Sequence, residues 1–214
     1  MKYILIISII LTLASCNKEC QITNGTYEFQ ISSTLYPALD TFNIGDTITI
    51  ITEFNDQVYE AQTDKKYDLS NVTLYYFIRM YKISEFPTVR SAIDSFQFDY
   101  TGLNTYHYDY FTSSNYKVLR GDYSFNNHTY SIKYIFSPMD TGLFICSNGA
   151  ELRGQTFPGK CDDMDSYFFV DLNNGNDNNI SMLSQSPDEH FNKWVLEKPY
   201  DRFHSGAGYA FYVK

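Results

Sequence analysis

Leu74-Tyr75-Tyr76-Phe77-Ile78-Arg79-Met80 is the stretch on which the fold turns. Leu74, Tyr76, Ile78 and Met80 recur every second residue, the period that sends successive side chains to opposite faces of a β-strand. Working outward, the same period returns in Tyr27, Phe29 and Ile31, in Ile48 and Ile50, and in Phe96, Phe98 and Tyr100. Tyr106, Tyr108 and Tyr110 repeat it, and Tyr116 to Leu119 and Tyr130 to Phe136 read as further strands. Turn formers separate these runs: Asn43-Ile44-Gly45-Asp46, Asn55-Asp56, Arg120-Gly121-Asp122 and Asn126-Asn127. Short strands at about ten-residue intervals, with no helical runs between them, predict a mainly β chain: an antiparallel β-sandwich, Ig-like or related, over 25–146.

Beyond Cys146 the pattern loosens. Residues 147–166 read as loop, Tyr167 to Leu172 as a short strand, and Asn173 to Asn179 as a polar turn. Ser186-Pro187-Asp188-Glu189 reads as a helix start, with Ser186 as cap, Pro187 at the first helical position and Glu189 completing a capping box. Phe191, Trp194 and Val195 would share the apolar face, and Pro199 would end the helix. Tyr209 to Val213 reads as a terminal strand, so 147–214 is expected to pack on the same core.

The 214 residues are 43% apolar and 18% aromatic, with 20 Tyr and 17 Phe, which suits a folded domain with a sizeable core. A formal charge of -9 lacks the basic surface that a phosphate backbone requires, so nucleic acid is not an expected partner. G-x-S-x-G, H-E-x-x-H, Walker A and G-x-G-x-x-G are all missing from the sequence. His107, His128, His190 and His204 are widely spaced along the chain.

At the amino terminus, Lys2 precedes an apolar run from Ile4 to Leu13, about half the length needed to span a bilayer. Leu13-Ala14-Ser15-Cys16 follows, and it resembles the lipobox of bacterial lipoprotein precursors. The resemblance covers this leader alone. It implies that 1–15 is a signal peptide, that Cys16 becomes the acylated first residue, and that 16–24 is a lipidated tether. Two or three acyl chains at Cys16 would attach the protein lastingly to a membrane. Asn17, where the family's inner-membrane proteins carry Asp, implies the outer membrane of a Gram-negative cell envelope.

Exported proteins can form disulfides, and Cys146 with Cys161 is the expected pair, leaving Cys20 over. A loop of that size would gain about 3 kcal/mol from closure. No cofactor is expected. Asp162, Asp163 and Asp165 form the densest acidic cluster, a solvated loop face that is also the weak candidate for a metal or for an acid pair. Tyr106, Tyr108 and Tyr110 would lie on one strand face with His107 and Asp109 on the other. Turned inward, the three rings are core; turned outward, they are ligand-facing aromatics that stack on a glycan or anchor a protein partner.

Together these readings describe a membrane-anchored envelope lipoprotein with a non-catalytic binding or structural role. A carbohydrate-active hydrolase with an acidic pair and a calcium-stabilised adhesion module are the alternatives. A surface row of aromatic rings would favour glycan binding.

Overall fold

The computed structural model describes residues 26–84, 89–112, 116–152 and 165–214. Among these described residues, fifteen strands form two sheets packed face to face. The first sheet, of eight strands, is centred on β1 (Thr26–Tyr36), β3 (Ile48–Asn55) and β12 (Thr129–Pro138). β4 (Gln57–Glu60) and β5 (Lys65–Asp68) extend it past β1, while β8 (Phe96–Asp99) and β11 (Ser124–Asn126) flank β12. The second sheet runs β2 (Thr41–Phe42), β15 (Tyr209–Val213), β13 (Gly142–Leu152), β6 (Leu74–Ile83), β10 (Tyr116–Asp122) and β9 (His107–Phe111), with β7 (Val89–Ser91) beside β6.

The two-residue period does what the sequence predicts. Tyr27, Phe29, Ile31 and Leu35 of β1 point into the sandwich, as do Leu74, Tyr76, Ile78 and Met80 of β6. Tyr130, Ile132, Tyr134 and Phe136 of β12 complete the aromatic core. A polar thread crosses it: the Ser33 and Thr52 hydroxyls lie 2.8 Å apart, and the Asn148 amide donates to Ser33 Oγ at 3.3 Å.

Four local expectations are corrected. First, the sheets are mixed: β14 (Asp165–Leu172) pairs with β1 in parallel, from Thr26↔Asp165 to Ser33↔Leu172, and β2 is parallel to β15. Second, Ser147 to Ala150 are strand, because β13 runs unbroken to Leu152 with Asn148 and Ala150 facing the core. Gly149 is required there, since a Cβ would collide with the Phe77 ring on β6. Third, Arg120-Gly121-Asp122 is the end of β10 rather than a turn.

Fourth, the helix begins later. In α1 (Glu189–Glu197) the cap is Asp188, whose carboxylate accepts from the Phe191 amide at 2.9 Å, while Ser186 Oγ accepts from the Asp188 amide at 3.1 Å. The buried face also differs from the expected one: Val195 and Asn192 turn inward and Phe191 packs beside Val195, while Trp194 is left half exposed. Val195 packs with Ile180, Leu183 and Phe203 against Ile83, Leu143, Ile145 and Ala210 on the outer face of the second sheet. β13 is therefore covered on both sides, which explains its unbroken apolar run from Leu143 to Cys146.

The expected disulfide is not supported. Cys146 is a free thiol, 1% exposed on the inner face of β13, and burial pushes its pKa up. Cys161 lies outside the described residues, as do Cys16, Cys20 and the whole leader.

Candidate functional site

Tyr106, Tyr108 and Tyr110 are exposed, at 48%, 36% and 58%. Tyr106 immediately precedes β9, and β9 pairs with β10 through Tyr108↔Leu119 and Tyr110↔Lys117. Leu119 is buried in the core, so the three tyrosines share the core-facing side of their sheet. They are nevertheless exposed because β9 closes the sheet at the end of its strand order, where little of the opposite sheet remains to cover them. Sequence alternation correctly puts the rings on one face, and it cannot tell that this face overhangs the core.

The row is held in place by its neighbours. Tyr100 stacks on Tyr106 with ring centroids 4.1 Å apart and planes within 14°, and its hydroxyl lies 2.6 Å from that of Tyr108. Phe98 stacks behind Tyr100 at 6.3 Å, tying the row to the core. Lys117 Nζ sits 4.3 Å from the Tyr108 ring centre and 2.5 Å from the Asp94 carboxylate. Partial burial, then the hydrogen bond to Tyr100, raises the Tyr108 pKa well above that of free phenol. The row is thus aromatic and rich in hydroxyls. Tyr100 was missed as a member of this site; it stands six residues from Tyr106 in the chain, and only the loop that folds back between them brings the rings together.

Behind the row, on the outer face, Arg120 is 6% exposed and pairs through Nε with Asp109 Oδ2 at 2.6 Å and through Nη1 with Glu151. His107 Nε2 lies 3.4 Å from Asp109 Oδ1. The Arg120-Gly121-Asp122 tripeptide therefore presents no extended guanidinium to solvent; its arginine is a buried ion-pair partner that braces β9 against β10 and β13.

Beside Tyr100 an open cleft of about 530 Å³ runs between β8 and β12, lined by Gln97, Asp99, Thr101 and Ser137 among others. Asp99 accepts from the Thr101 hydroxyl and amide, and these bonds lower its pKa. Glu60, Asp68 and Asp140 are likewise held below the usual carboxylate range. A glycosidase acid needs the opposite shift.

Asp162, Asp163 and the side chain of Asp165 lie outside the described residues. Among the described residues, no three His, Cys, Asp or Glu side chains gather in a metal-binding arrangement.

No family model matches this chain. No curated protein matches it either. Among solved structures it is similar to the type II cohesin dyad from the adaptor ScaA scaffoldin of Acetivibrio cellulolyticus, at 9% identity and a TM-score of 0.28. That alignment covers 69% of this chain and 49% of the other, so this chain spans about half the length of that structure. At such a score the likeness carries no weight for fold or function.

Proposed function

We propose that this protein is a lipid-anchored envelope module that binds neutral glycan, without catalysis, through the aromatic edge formed by Tyr106, Tyr108 and Tyr110. The observation that carries the reading is the exposed row of rings backed by Tyr100. Aromatic rings stack on the C–H faces of sugars, and phenol hydroxyls at the rim exchange hydrogen bonds with sugar hydroxyls. Large exposed rings are costly to keep at a surface unless something covers them. The flanking cations Lys117 and Arg120 are already ion-paired, and the chain carries a charge of -9, so acidic polysaccharides are disfavoured. The anchor rests on Leu13-Ala14-Ser15-Cys16 and on the short apolar run before it.

Two measurements test this. Purified protein is passed over insoluble neutral polysaccharides, wild type beside Tyr106→Ala and Tyr110→Ala. Retention that weakens about tenfold on loss of a ring supports the reading, and retention indifferent to both substitutions rejects it. Intact mass and membrane fractionation of wild type beside Cys16→Ser test the anchor. Loss of an acyl-sized mass and release from the membrane support it; an unlipidated wild-type chain rejects it.

A further inference from the structure

We infer that the cavity between β14 and the Tyr200–His204 turn is a second binding site, one that takes the terminal residue of a neutral saccharide. It lies on the sheet opposite to β9 and does not depend on the reading given to that strand.

The alternation of β14 builds it. Phe168, Val170 and Leu172 are buried in the sandwich, which turns Tyr167, Phe169 and Asp171 outward. Parallel pairing sets Gln30 of β1 beside Phe169. Past Pro199, a single π-helical turn, closed by the Ser205 amide on the Tyr200 carbonyl at 2.8 Å, swings Tyr200 and His204 over the strand. A parallel bridge from Val170 to Gly206 fixes that turn in place. The half-open space is about 410 Å³, within the usual range of small-ligand pockets and large enough for one or two sugar rings.

Its wall is aromatic. The Phe169 and Tyr200 rings are stacked, with planes 26° apart and centroids 6.2 Å apart, and together they offer ring surface to the space. Tyr167 meets Phe169 edge-on at 4.7 Å and carries the aromatic surface along the strand away from the cavity. Tyr200 is 59% exposed and Tyr167 44%, apolar area that nothing among the described residues covers.

Its polar groups are unspent. Among the described residues no hydrogen bond engages the side chains of Gln30, Asp171 or His204, all of which line the cavity. Ser205 Oγ donates to the Asp201 carbonyl at 2.9 Å and keeps its acceptor lone pairs. One carboxylate, one amide, one imidazole and one hydroxyl make a mixed donor and acceptor set. That matches vicinal hydroxyls, which give and take hydrogen bonds together. Among the described residues no Arg or Lys lines the space, so phosphate and uronate find no counter-charge there. An amine would gain one carboxylate here but only the Phe169–Tyr200 pair instead of a surrounding cage of rings.

The test is calorimetric titration and saturation-transfer NMR of the full chain with glucose, galactose, mannose, N-acetylglucosamine and their β-1,4-linked disaccharides. Glucuronate and choline are run in parallel, on wild type, Tyr200→Ala, Asp171→Asn and Tyr106→Ala. The expected result is binding of at least one neutral sugar, weakened about tenfold by Tyr200→Ala and by Asp171→Asn and unchanged by Tyr106→Ala. Tyr200 is exposed and Asp171→Asn is nearly isosteric, so thermal melts of both variants should overlay the wild type. The inference falls if no neutral sugar binds, if choline or glucuronate binds in preference, or if affinity survives both pocket substitutions. Loss of sugar binding in Tyr106→Ala alone would move the site to β9 and overturn it equally.

Discussion

The Tyr76 hydroxyl donates to the Thr105 carbonyl at 2.9 Å, joining the core of the second sheet to the loop that carries the aromatic row. Between them lies the backbone of Gly121. A Cβ at that position would run into both the Thr105 oxygen and the Tyr76 ring, so the row keeps its position only while residue 121 has no side chain.

Gly121→Ala is therefore expected to destabilise the fold by about 1–3 kcal/mol, the usual cost of forcing a methyl group into a packed site. Urea denaturation measures it, and an unchanged midpoint would count against the contact. The loop should also shift, so fluorescence of the row should change even where the variant remains folded.

Tyr110→Ala should do the opposite, leaving stability within about 0.5 kcal/mol of wild type because the ring is 58% exposed. A melt lowered far beyond that would mean the ring is packing, not presented.

Glu60 gives a pH signature. It is fully buried, which by itself would raise its pKa, but it accepts from the Thr63 hydroxyl at 2.6 Å and from the amides of Glu28, Thr63 and Gln62 at 2.8–3.1 Å, and these hold it below 4.5. A depressed folded-state pKa contributes stability that is complete above the unfolded value near 4.5 and is lost as pH falls through the folded value. Glu60→Gln should be less stable than wild type at neutral pH by about 1–3 kcal/mol, with the gap narrowing as pH drops below 4.5. Chemical denaturation at stepped pH reads both limbs, and a gap that stays constant or widens in acid would contradict this account.

Cys146 should be inert. Burial both shields the thiol and raises its pKa, so maleimide should label it only after unfolding. Peptide mapping that found Cys146 labelled in the native protein, or joined to another cysteine, would contradict the packing of β13.

Much of the fold could be read from the chain before any coordinates. Period-two runs such as Leu74 to Met80 identify strands and their buried faces because one face of a sheet must be apolar. What escaped depended on partners distant in sequence. Ser147 to Ala150 look like a turn locally and are strand because β6 lies alongside, with Gly149 accommodating Phe77. β14 gives no local sign that it will run parallel to β1. The site was half legible: Tyr106, Tyr108 and Tyr110 were placed on one face, but exposure depends on where the opposite sheet stops, and Tyr100 joins through a loop. Phe169 and Asp171 share a face of β14 by strand alternation, and Tyr200 and His204 share one turn, but no spacing rule connects the two segments.

The parallel union of β1 with β14 also orders events in time. A chain made from its amino terminus completes β1 long before Asp165 to Leu172 exist to cap it. During that interval Thr26 to Ser33 present a bare edge on which apolar Tyr27, Phe29 and Ile31 alternate with polar residues, the kind of surface that invites strand pairing between neighbouring molecules. Closure of the first sheet must wait for one of the last strands made, which makes for slow maturation. Aggregation should thus be most acute in products truncated before residue 165, and a chaperone that shields strand edges should matter more to this protein's yield than to its final stability.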